Sequence, residues 1–119
     1  MNGYLLVINT KAPYHTSAAQ DAFEAALAAS NVGLEVRVLF DEDGVYQLVE
    51  TQSPEVISHK NMFKKLCSFP LFDVEKIYVN DTALLNRGIS LESDKLESTR
   101  LESEQVKTLI KNAHHVLVF

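Results

Sequence analysis

At 119 residues the chain has room for one domain around one core, and its 46% hydrophobic and 23% charged content is that of a globular protein, not a disordered tail or a membrane protein. The formal net charge of −5, with Lys and Arg scattered and only Lys64 and Lys65 paired, disfavours broad electrostatic capture of nucleic acid. One cysteine, Cys67, builds neither an internal disulfide nor a cysteine zinc site, and the start Met1-Asn2-Gly3-Tyr4 lacks a basic signal region, so a cytoplasmic address is expected.

Tyr4 to Ile8 is a continuous apolar run, the mark of a strand buried on both faces. Pro13 lies in the following loop, and the Ala-rich segment Thr16 to Ser30 repeats Ala19, Phe23, Ala26 and Leu27 at helical spacing, closed by Asn31 and Gly33. Leu34, Val36, Val38 and Leu39 predict a second strand, rich in β-branched residues. Asp41, Glu42, Asp43 and Gly44 form an acidic turn, and Val45, Tyr46, Leu48 and Val49 suit one or two helical turns just past the strand end.

Ser53 and Pro54 provide a cap and a first-turn proline for a helix placing Val56, Phe63, Leu66 and Cys67 on one face, stopped at Pro70. After Leu71, Phe72 and Asp73, Val74 to Val79 predicts a third strand; Asn80 or Asp81 caps a short helix reaching Arg87, with Gly88 as terminator. Ser90 to Arg100 is polar and reads as a loop leading into a short edge strand at Thr99 to Leu101. Ser103 caps a helix with Val106, Leu109, Ile110 and Ala113 on one face, Glu104 early and Lys107 and Lys111 later to suit the macrodipole. Val116 to Phe119 predicts a last strand. The alternation implies a single α/β domain, residues 1–119: an open, mostly parallel sheet of about five strands with helices on both faces, in flavodoxin-like layering.

In such folds ligands gather at the carboxyl ends of strands, where loops converge and helix N-termini aim N–H groups into a crevice. The candidates there are Asn80 and Asp81, an amide and a carboxylate with no nucleophile, and Thr16, whose hydroxyl with His15 could meet an anion but more commonly caps a helix. Cys67 shares a face with Val56 and Phe63 and reads as a small core hydrophobe; a thiol enzyme built on it is the competing reading. No metal is expected: adjacent His114 and His115 in an extended segment point to opposite faces, His15 and His59 lack partners at ligand spacing, and Asp41 to Asp43 lack an EF-hand arrangement and read as solvated surface. The turn Asn9 to His15 has no glycine, so no phosphate-cradling loop and no cofactor are expected, though a small anion- or nucleotide-binding module remains an alternative. Val45, Tyr46, Leu48, Phe69, Leu71 and Phe72, beside Val74, form an apolar and aromatic set suited to a protein interface.

Ala12, Pro13 and Thr16; Asp43-Gly44-Val45-Tyr46-Gln47-Leu48; Gln52 and Pro54; Leu71-Phe72-Asp73-Val74; Arg87-Gly88; and a closing strand at Phe119 together resemble the TusC or DsrF branch of the DsrE/DsrF-like sulfur-relay family. The resemblance spans nearly the whole chain, and the Asp-Gly-Val-Tyr-Gln-Leu stretch is its most specific piece. It implies a non-catalytic subunit of a heterohexamer with TusB-like and TusD-like chains that passes persulfide sulfur towards 2-thiouridine at the tRNA wobble position; a DsrF-like role in dissimilatory sulfur oxidation is the alternative. Sulfur donors and acceptors would then be met through the TusD-like chain, with no direct nucleic acid or membrane contact, and the isolated chain could form homo-oligomers. The resemblance also implies that the partner's sulfur-carrying cysteine falls at about Asn80 here, and that Cys67 does not match it.

Overall fold

The computed structural model describes residues 3–14, 16–49, 62–91 and 95–119. Five parallel strands, β1 (Leu5–Asn9), β2 (Val36–Phe40), β3 (Lys76–Asn80), β4 (Thr99–Leu101) and β5 (His115–Val118), lie in the order β4-β3-β2-β1-β5. The helices are α1 (Ala18–Asn31), α2 (Met62–Leu66), α3 (Asp81–Asn86) and α4 (Ser103–Lys111), with 3-10 turns at Glu42–Leu48 and Phe69–Phe72. The steps from β1 to β4 all move in one direction, so right-handed crossovers put their helices on one face of the sheet; the return from β4 to β5 puts α4 on the other.

The two cores follow this division. Ala19, Ala22 and Ala26 of α1, Met62, Phe63 and Leu66 of α2, and Ala83 and Leu84 of α3 pack with Val7, Val38, Phe40 and Val79. Val106 and Leu109 of α4 pack with Leu6, Ile8, Leu39 and Leu101 on the opposite face. Alternation along β1 and β2 feeds both cores, which is why their sequences read as unbroken apolar runs. At the amino ends of the strands, Tyr4 donates a hydrogen bond to the Leu109 carbonyl and carries the Arg37 guanidinium 3.8 Å above its ring. A hydrogen bond from Arg37 holds the Glu35 carboxyl below its ordinary range.

The element boundaries differ from the sequence reading for local reasons. α1 begins after Ser17, not at Thr16, whose Oγ1 accepts from the Ala18 N–H at 3.1 Å. Leu34 is not in β2: it ends α1, its N–H reaching the Ala29 carbonyl while Gly33, at φ +89, bonds Ser30. This is a Schellman closure, and Gly88 at φ +63 makes the same one behind α3, with Ile89 bonding Leu84. Val74 is buried ahead of β3 and Asn80 is its last residue. The cap of α4 is Glu102, reciprocally bonded with Gln105, in place of Ser103. Ser53, Pro54 and Val56 lie outside the described residues, and α2 is described over Met62–Leu66.

Candidate functional site

Asn9, Phe40 and Asn80 end three adjacent strands on one edge of the sheet, and the 42–48 turn folds across them. Gly44 is the point of closest approach: a Cβ built there would lie 1.9 Å from the Asn9 carbonyl oxygen. Gln47, one 3-10 turn later and fully buried, donates from Nε2 to Asn9 Oδ1 at 3.3 Å and to the Lys11 carbonyl at 3.0 Å. The sequence reading did not single out Gly44 or Gln47 as site residues, although their i, i+3 spacing beside the alternate pair Val45 and Leu48 is a 3-10 signature.

Asn80 is committed on both sides of its amide. Its Oδ1 accepts from the Thr82 N–H at 3.0 Å, capping α3, and its Nδ2 donates to Asp41 Oδ1 at 2.9 Å. That same Asp41 oxygen accepts from the Glu42 N–H at 2.7 Å, starting the 3-10 turn. Asn80 therefore ties β3 and α3 to the end of β2. Asp43 pairs with Arg87 at 2.9 Å and Asp81 with Arg100 at 3.7 Å, so a second ion-paired layer links the turn and the start of α3 to neighbouring segments. The acidic run lies at the surface, with Glu42 and Asp43 exposed and Asp41 partly buried, yet Asp41 and Asp43 each hold a partner across the strand ends.

Of the crevice candidates, Asn80 and Asp81 adjoin each other at the end of β3, whereas Thr16 follows β1, with β2 between β1 and β3. At the topological switch point between β1 and β5, where open α/β sheets usually take ligands, Thr10 closes the gap by donating its N–H (2.9 Å) and hydroxyl (2.7 Å) to the Phe119 carbonyl.

The interface set also divides. Val45, Leu48 and Phe69 are core residues; Phe69 stacks on Phe23 with ring centroids 5.1 Å apart. Tyr46, Leu71 and Phe72 reach the surface at 38%, 84% and 41% exposure. Tyr46 lies past the carboxyl end of β2, whereas Leu71 and Phe72 precede β3 at the opposite edge, where the Phe72 carbonyl accepts from Ser30 at the end of α1. They are two patches, not one cluster.

Cys67 is half-buried after α2 and packed against the larger core. The His114 and His115 rings do not point to opposite faces: they meet edge to face at 4.5 Å, because His114 precedes β5 in a bend where strand alternation does not hold. His15 and His59 lie outside the described residues, among which no three His, Cys, Asp or Glu side chains group as metal ligands.

The profile of the DsrE/DsrF-like family matches residues 4–119. The chain belongs to the DsrE/DsrF-like family. Among its relatives are a protein named TusC homolog from Vibrio parahaemolyticus, 34% identical over 108 residues and covering 91% of this chain and 92% of its own, and one of the same name from Pseudomonas aeruginosa, 30% identical over 117 residues and covering 98% of each. The crystal structure of the ychN protein from Escherichia coli shares the DsrE/DsrF-like chain's fold with a TM-score of 0.81 at 20% identity, covering 98% of this chain and 99% of that one. A conserved protein of unknown function from Bacteroides thetaiotaomicron follows it with a TM-score of 0.70 at 14% identity, covering 97% and 94%. No helix among the described residues of this family member is long and apolar enough to cross a membrane.

Proposed function

We propose that this DsrE/DsrF-like chain is a structural, non-catalytic subunit of a cytoplasmic sulfur-relay complex, assembled with TusB-like and TusD-like chains as a heterohexamer, that passes persulfide sulfur towards 2-thiouridine at the tRNA wobble position. The observation that carries this reading is the state of Asn80. At the position where the TusD-like partner is expected to hold its cysteine, this chain has an amide whose two ends are bonded to Thr82 and Asp41. A relay cysteine needs an exposed, stabilised thiolate, and an oxygen of the Asp41 carboxylate 2.9 Å from the Asn80 nitrogen opposes one. Cys67, the other candidate, lies after α2, half-buried against the larger core and not at a strand end, which supports the same reading. Asn80 and Asp41 thus give the strand-end crevice a fixed wall, against which a partner's thiol could work.

Docking falls to the two exposed patches, Tyr46 on the crevice side and Leu71 with Phe72 on the opposite edge. Tyr46 and Phe72 are only partly exposed, so circular dichroism of each acidic variant first checks that folding is kept. Co-expression of the chain with TusB-like and TusD-like partners, followed by native mass spectrometry, tests the assembly: Tyr46→Asp or Phe72→Asp is expected to release the chain from the complex. Full assembly by both variants would remove these surfaces from the proposal.

A further inference from the structure

β5 is a sheet edge built unlike its counterpart. The opposite edge, β4, is three residues long and carries Arg100, the kind of short, charged strand that discourages edge pairing. β5 instead presents Val116, Leu117 and Val118 without a charge, all exposed, Val118 at 64%. The neighbouring β1 fixes which groups it leaves open. Phe119 donates its N–H to the Ile8 carbonyl at 2.9 Å and accepts from the Thr10 N–H through its own carbonyl, so Phe119 and, by alternation, Leu117 bond inward. Val116 and Val118 therefore direct both N–H and C=O outward.

That arrangement is self-complementary. In an antiparallel pair, residues that exchange both hydrogen bonds alternate with residues that exchange none. A twofold axis through Leu117 sets Val116 against Val118 of a second copy, and Val118 against its Val116, giving four N–H···O bonds about a Leu117–Leu117 contact. The faces agree as well: Val116 and Val118 lie on the α4 side with Leu6 and Ile8, and Leu117 on the α1 side with Val7. Charge adds direction. α4, which covers the neighbouring β1, has exposed Glu102 at its start and exposed Lys111 at its end, with Glu104 and Lys107 paired at 3.4 Å between them. A twofold axis brings the acidic end of one copy towards the basic end of the other.

We infer that the β5 edge pairs with β5 of a second copy of this chain, joining two five-stranded sheets into one. This contact is separate from the relay reading, which uses the strand ends and not the sheet edge. Light scattering on the purified full-length chain is expected to give the mass of a dimer, and Leu117→Lys to halve that mass with an unchanged far-ultraviolet circular dichroism spectrum. In a Cys67→Ser background, Leu117→Cys is expected to form an interchain disulfide on mild oxidation, since non-bonded antiparallel pairs hold their Cα atoms about 4.5 Å apart, within disulfide reach. A monomeric chain, a dimer indifferent to Leu117→Lys, or no cross-link through Leu117→Cys would each overturn the inference. So would a monomer that uses Leu117 only when other chains are present.

Discussion

Replacing Gly44 with alanine is expected to cost about 3 kcal/mol or more, at the upper end of overpacking penalties, and to lower Tm by roughly 10 °C. The cause is space. Gly44 is not among the positive-φ residues, so alanine suits its backbone, but the added Cβ would sit 1.9 Å from the Asn9 carbonyl oxygen and 2.5 Å from its carbon. Neither side can yield easily. The Asn9 carbonyl accepts from the Asp41 N–H at 2.9 Å, and the turn is pinned by the Gly44 N–H to the Asp41 carbonyl at 2.8 Å and by Asp41 to Asn80. Gly33 provides the contrast: an alanine there meets nothing within 4 Å and pays only for its left-handed backbone, about 1 kcal/mol. Chemical denaturation of the two variants separates the causes. A Gly44→Ala loss no larger than that of Gly33→Ala would show that the turn does not press on β1.

The second large effect is expected at Gln47. Gln47→Leu keeps the approximate volume and removes the donor that serves Asn9 Oδ1 and the Lys11 carbonyl, leaving both acceptors short of a partner in a buried setting, at a cost of about 2–4 kcal/mol. Gln47→Glu adds a pH dependence whose sign is fixed. A carboxyl in this fully buried position, facing two acceptors, has its folded-state pKa raised above the unfolded value. The neutral form is therefore favoured by folding, so the variant is most stable below the unfolded pKa and loses stability as pH rises through the folded one. Urea denaturation at mildly acidic and at neutral pH checks this; equal stability at both would place Gln47 in contact with solvent.

These two residues also mark the limit of what pattern alone revealed. The sheet was legible because β1, β2 and β3 are apolar runs with a helix between each pair, and the β4-to-β5 connection follows the same rule. Gly33 and Gly88 were legible as terminators because the left-handed position that closes a helix favours glycine. Gly44 and Gln47 were not, since a close backbone contact and a buried amide are tertiary facts about Asn9 and Lys11, far away in sequence. Asn80 was visible as a strand-end residue and a cap, but its bond to Asp41 needed β2 and β3 to be neighbours. Composition alone does not divide the aromatic set. Chain direction separates its members: Tyr46 comes after a strand, Leu71 and Phe72 before one, and parallel strands put those positions on opposite edges.

No thiol of this chain is expected to carry sulfur, because Asn80 is tied into the scaffold and Cys67 is packed against the core. The most direct measurement is tRNA 2-thiouridine, quantified by nucleoside mass spectrometry, in cells lacking the gene for this chain and complemented with the cysteine-free Cys67→Ser variant. The wild-type level is expected. Loss of 2-thiouridine with a variant that folds and assembles normally, while the wild-type chain restores it, would make Cys67 a carrier and rule out a purely structural role.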